Sequence, residues 1–320
     1  MKGFISKDLH PLVVFMLLLA FMLGGVFVAY FFYAILGEGI TGVSFLQLST
    51  LLQNPSAHPE QANALMLFQG LTSFFMFIVA PLALIKAMGY DWDTYLNRKE
   101  NTILWLVLLS GLLVVLIMPL NSVIINWNAG IDFPAALEGF EKWAREQESQ
   151  AAELTKLLAR FGTLPQLLVG LVVIAVIPGI GEELVFRGIV QRQLRRWWGN
   201  PHLAIWVAAI LFSAIHVQFF GFVPRVLLGA LFGYLYFWSG RIIVPMIAHF
   251  VNNGFTVLLL YLQQTKTIDF DVESTEAMPW ATVLLSAVLS AAVLYFLYRQ
   301  FKLQPVRTVS IAEQGQNPQL

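Results

Sequence analysis

Residues 164–188 read LPQLLVGLVVIAVIPGIGEELVFRG, a long apolar run that closes on two adjacent carboxylates and an arginine. Such a run is long enough to cross the roughly 30 Å of hydrocarbon in a bilayer as a helix. Yet it keeps Glu182, Glu183 and Arg187 inside it, and ionised side chains in hydrocarbon are costly unless they have a partner or a task. On a helix Glu183 and Arg187 are four residues apart and share a face, so they can form an ion pair. Glu182 points about 100° away and meets Phe186 at its own i+4 position. The spacing therefore predicts an ionised, paired Glu183 and a less compensated Glu182 suited to acid–base work. The plainer alternative is a structural ion pair with Glu182 snorkelling outward. Histidines on later spans weigh against it.

The rest of the chain has the same character. It is 58% hydrophobic and 12% charged, with a mean hydropathy of +0.71, far from a soluble domain. An all-α polytopic membrane bundle of about eight transmembrane helices is expected, with spans at 11–36, 64–89, 103–125, 164–188, 202–219, 223–239, 242–263 and 281–299. The first follows Lys2 and Lys7 but is too long for a signal-peptide core, so an uncleaved span is expected. With no cysteine in the chain, thiolate catalysis, disulfides and Cys-ligated zinc are excluded. A net charge of zero gives no sign of nucleic-acid binding.

Charge alternates between loops. Lys2 and Lys7, then Lys86, Arg98 and Lys99 mixed with Asp91, Asp93 and Glu100, then Arg187, Arg192, Arg195 and Arg196, then Arg241, and finally Arg299, Lys302 and Arg307 mark one side. The loop from Gly37 to Asn63, the acidic segment 126–163 and the loop 264–279 mark the other, with Arg225 the single exception. The positive-inside rule then predicts both termini in the cytoplasm. Phe133 to Phe161 carries Phe140, Trp143, Ala144, Ala151, Leu154, Leu157, Leu158 and Phe161 at helical spacing, an amphipathic helix lying on the outer interface. Residues 1–302 are read as one membrane domain, with N-terminal spans and the outer segment over 1–163 and the chemistry over 164–263; 303–320 are read as a disordered cytoplasmic tail.

Two further spans carry polar groups. Phe212 and His216 are four apart, as are His249 and Asn253. Gly199-Asn200-Pro201 is a turn signal. If Asn200 tips a helical hairpin, Glu182 and His216 lie at nearly equal distances from it and reach similar depth. Counted from Arg241, His249 is about 12 Å deep, near the level of Glu183, so the three helices are expected to meet in the cytoplasmic half of the bilayer. Phe212 is expected as an apolar wall, and Asn252 as a bystander.

Glu-Glu-x-x-x-Arg, then Phe-x-x-x-His, then His-x-x-x-Asn, each on its own span, resembles the CPBP family of intramembrane proteases, which includes the type II CAAX prenyl endopeptidases and bacterial bacteriocin-processing and immunity (Abi) proteins. The resemblance runs from about Leu164 to Leu262 without a motif substitution; the first 163 residues add nothing to it. It implies a membrane endopeptidase in which Glu182 and His216 activate a water, His249 and Asn253 orient or stabilise the oxyanion, and Glu183 with Arg187 supports the site. A metal-free water requires no ligand absent from the sequence and no cofactor; zinc held by Glu182, His216 and His249 is the alternative. The implied substrate is a membrane-associated or lipidated peptide or protein; the composition makes the lipid bilayer a partner, and the short loops without a long eukaryotic-style tail lean toward a bacterial inner membrane. Two rivals remain, a proton-coupled transporter and a non-catalytic immunity or scaffold protein. The first would call for charged residues on further spans and an inverted repeat, and neither is present.

Overall fold

The computed structural model describes residues 3–96 and 103–303. Helices α1 (Pro11–Thr41), α3 (Pro59–Ala87), α5 (Leu104–Ala129), α7 (Leu164–Trp198), α9 (Phe222–Ser239), α10 (Ile243–Gln264) and α11 (Trp280–Leu303) are long and apolar enough to cross a membrane. Between them lie α2 (Phe45–Gln53), α4 (Trp92–Leu96), α6 (Glu138–Leu158) and α8 (Pro201–Ala214). Seven long helices and the shorter apolar α8 form the expected polytopic bundle. Phe27, Val288 and Met16 are 74%, 67% and 66% exposed; apolar faces of this extent on α1 and α11 call for lipid around an integral membrane protein.

Helix ends follow local chemistry. Gly199, at φ +69, closes α7 in the left-handed region that glycine enters without cost. The next residue, Asn200, accepts from the N–H groups of His202 and Leu203 with its side-chain oxygen and opens α8, with Pro201 in the first turn. The hairpin tip is thus where the turn signal put it.

Three π-helical stretches widen the long helices: Phe74–Val79 in α3, and Leu171–Val176 and Leu184–Gln191 in α7. Pro81 and Pro178 follow the first two. A proline has no N–H and its ring displaces the carbonyl four residues back, and a wider turn absorbs that disruption.

The core that joins these helices is centred on α7. Leu184, Val185, Phe186 and Ile189 pack with Val14 of α1, Leu84 of α3, Phe212 of α8 and Met246 of α10. A second core, with Leu113, Phe232, Val244 and Phe301, ties α5, α9, α10 and α11 together.

Two expectations need correction. The fifth span is shorter than 202–219: α8 has 14 residues, about 21 Å of rise against roughly 30 Å of hydrocarbon. It stops at Ala214, so His216 lies in the turn beyond the helix, next to Val217 at φ +55. The outer amphipathic helix covers Glu138–Leu158 rather than all of 133–161. Ala144, Leu157 and Phe161 are buried, while Phe140 and Trp143 are 41% and 45% exposed, as a helix on an interface allows. The Phe140 ring meets Phe219 at 5.6 Å, so α6 lies over the turn that follows α8.

The same end of the bundle gathers the other loops expected to share a side. Gln264 donates to Ala159 O at 2.6 Å, and Ser56 donates to Glu153 at 3.3 Å. At the opposite end Arg192 donates to Tyr95 O, and Ile5 N–H donates to Ala87 O at 3.0 Å. Of the expected tail, Leu303 ends α11 and 304–320 lie outside the described residues, as do Lys2, Arg98, Lys99, Glu100 and Arg307.

Candidate active site

The site begins with two glycines that let helices approach. A Cβ on Gly179 would lie 2.9 Å from the backbone nitrogen of Phe250, and one on Gly181 would lie 2.6 Å from Cβ of Phe77. Without side chains there, α7 packs backbone-close on α10 and α3. That approach seats the Glu182–Glu183 pair against His249.

Glu183 is fully buried and bridges two cations or proton donors. Its Oε1 accepts from Arg187 Nη1 at 2.7 Å and is hydrogen-bonded to His249 Nδ1 at 2.8 Å. Arg187 also donates from Nη2 to the Gly229 carbonyl at 2.6 Å. Its guanidinium lies over the rings of Phe212 and Phe232, 5.1 and 5.4 Å from their centroids. A buried charge is tolerable when paired and hydrogen-bonded, and here both members of the pair are. The i+4 pairing read from the sequence is present; the bond from Glu183 to His249 is additional.

That bond sets the imidazole. A carboxylate paired with Arg187 accepts, so Nδ1 is the nitrogen that donates to it. The His249 ring is stacked on Phe232 at 4.9 Å and meets the Phe212 ring edge-on at 5.9 Å. Its Nε2 faces Glu182 Oε2 at 3.9 Å. The gap is too long for a direct hydrogen bond and short enough for one water to touch both atoms. Glu182 keeps 14% of its side chain exposed while Glu183 keeps none, so the two adjacent carboxylates differ in access as well as in partners.

His216 reaches the same wall from the other side. Its Nδ1 is hydrogen-bonded to the Phe212 carbonyl at 2.9 Å, and its ring meets Phe212 at 5.4 Å. Phe212 therefore separates and orients both imidazoles, as an apolar wall should.

Asn253 donates from Nδ2 to the Ile174 carbonyl at 3.1 Å. Pro178 has no N–H, so Ile174 O, four residues earlier, lacks the donor that a regular helix supplies. Asn253 provides one. Asn252, expected to be a bystander, donates to Asn253 Oδ1 at 2.9 Å and fixes the amide. One N–H of Asn253 remains available for another acceptor.

Sequence reasoning missed four participants: the Glu183–His249 bond, the Phe232 platform, Asn252 and the Gly229 carbonyl. Only the Gly229-x-x-x-Gly233 pattern, which allows close helix packing, was a readable signal. Among the described residues no three of His, Asp and Glu are grouped to hold a metal ion.

Comparison with known proteins agrees with the motif resemblance. Residues 164–255 match the family model described as Rce1-like, type II CAAX prenyl endopeptidase. The chain is 29% identical over 101 residues to Uncharacterized protein YpbD of Bacillus subtilis (strain 168), covering 30% of this chain and 49% of that protein. It is 32% identical over 95 residues to Membrane-embedded CAAX protease MroQ of Staphylococcus aureus (strain USA300), covering 28% of this chain and 38% of that one. The chain thus spans half or less of the curated relatives it matches. No solved structure matches it.

Proposed function

We propose that this protein is an intramembrane endopeptidase that hydrolyses a peptide bond of a membrane-associated or lipidated substrate. The observation that carries this reading is the pair Glu182 Oε2 and His249 Nε2, 3.9 Å apart, with the other imidazole nitrogen held by buried Glu183 at 2.8 Å.

In this reading a water lies between Glu182 and His249. Glu182 takes its proton as the oxygen attacks the substrate carbonyl carbon, and returns that proton to the leaving amine as the C–N bond breaks. The tetrahedral oxyanion needs donors already in position; the remaining N–H of Asn253 is suited to it, while His216, whose Nδ1 donates to the Phe212 carbonyl at 2.9 Å, offers Nε2 as a further acceptor for the water. Glu183 keeps His249 in one tautomer, and Arg187 balances the charge of Glu183. The chemistry needs no metal step. The similarity to the bacterial relatives supports a location in a bacterial inner membrane.

The test is cleavage of a peptide library by purified protein in lipid nanodiscs, with and without a strong chelator, beside the Glu182→Gln variant. Cleavage that disappears in the variant and survives the chelator supports the reading. A folded protein with no cleavage of any peptide, whose cellular phenotype survives Glu182→Gln, would instead be a non-catalytic scaffold.

A further inference from the structure

His216 stands on a segment that should be hard to keep in place. The turn 215–221 is non-helical, begins where α8 stops about 21 Å from the hairpin tip, and includes Val217 at φ +55. A β-branched residue in the left-handed region is strained, and such conformations persist only where the surroundings over-determine them. Irregular backbone at membrane depth must also have its polar groups met by protein.

The surroundings that do this come from outside the hairpin. Asn128, fully buried at the end of α5, donates to the Phe219 carbonyl at 3.1 Å and accepts from the Val223 N–H at 2.8 Å. Glu148, on the surface helix α6, accepts from the Phe220 N–H at 3.2 Å and from Gln218 at 3.5 Å. Gln218 in turn accepts from Arg225 at 2.8 Å. Arg145, one helical turn before Glu148, covers the Phe220 ring at 4.5 Å. The backbone bonds of the turn are local: Ile215 N–H to Leu211 O at 3.2 Å, His216 N–H to Ser213 O at 3.2 Å, Val217 N–H to Ala214 O at 3.1 Å, Phe222 N–H to Phe219 O at 3.0 Å and Arg225 N–H to Gly221 O at 3.3 Å. This also gives Arg225, the exception to the charge alternation, a place: it anchors the same turn.

We infer that Asn128 and Glu148 are positioning residues for His216, holding the strained turn so that the imidazole stays beside Phe212. The surface helix is then a clasp on the site rather than a connector. The inference rests on the endopeptidase reading only for its kinetic arm.

The chain has no native cysteine, so Ile215→Cys carries a single spin label next to His216. Full-length protein in nanodiscs is compared with Glu148→Ala, Asn128→Ala and Glu148→Gln, reading label mobility, melting temperature, and kcat and KM on a peptide chosen from the library. The Ala variants should loosen the label and lower kcat about 10–100-fold, the scale of a displaced catalytic group, with KM and melting temperature little changed. Glu148→Gln keeps an oxygen for the Phe220 N–H and should restore both label and kcat. An unchanged label with full kcat overturns the inference, and so does a kcat loss that tracks a lower melting temperature and is not recovered by Glu148→Gln. If Glu182→Gln cleaves as fast as the parent, the endopeptidase reading fails, while the label still decides whether Glu148 holds the turn.

Discussion

Glu183 Oε1 and His249 Nδ1 lie 2.8 Å apart, so one buried carboxylate both neutralises Arg187 and orients the imidazole of another helix. From sequence, Glu183 is expected only as the ionised partner of Arg187 that supports the site. With His249 on the same oxygen, Glu183→Gln should do more. It leaves Arg187 without its counter-charge, a break that typically costs about 3–5 kcal/mol, and it frees the imidazole to rotate or change tautomer. Melting temperature in detergent should fall, and turnover per folded molecule should fall as well. Turnover per folded molecule equal to the parent would show that the His249 bond has no catalytic part.

Glu182→Gln should behave differently. Glu182 has no hydrogen-bond partner among the described residues, and its neutral isostere fits the same space. The variant is expected to fold and melt like the parent while turnover drops about 10²–10⁴-fold, the usual contribution of a general base. Purified variant, assayed at equal folded concentration, checks this. Retained cleavage would move the proton acceptor elsewhere.

Gly179 reports on helix approach. An alanine there places a methyl 2.9 Å from the Phe250 nitrogen, a backbone atom that cannot swing aside. Overpacking of this kind costs about 1–3 kcal/mol, and it separates α7 from α10 where Glu182 faces His249. Gly179→Ala should therefore lower both melting temperature and turnover. Gly24→Ala, whose Cβ would meet nothing within 4 Å, is the control and should change neither.

Orientation in the membrane can be read by cysteine accessibility on this cysteine-free chain. Arg145→Cys on the surface helix and Arg196→Cys near the hairpin tip should react with an impermeant reagent from opposite faces, the latter from the cytoplasm. Position 145 labelling only from the cytoplasm would invert the proposed topology.

The periodicities and charges of the sequence determined a great deal. Long uncharged runs can only be membrane helices, because the backbone must satisfy itself in lipid. The i+4 spacing of Glu183 and Arg187 required a shared face, and Gly199-Asn200-Pro201 could only turn. What the sequence left open is what depends on where one helix stops against another. The pattern Phe212 to His216 reads as helix, yet α8 ends at Ala214, because Asn128 and Glu148 take up the backbone groups that further helical turns would have used. Likewise the choice between Glu182 and Glu183 as partner of His249 depends on the rotation of α7 against α10. The wide π turns and the missing Cβ atoms of Gly179 and Gly181 set that rotation, and no spacing within a single helix encodes it.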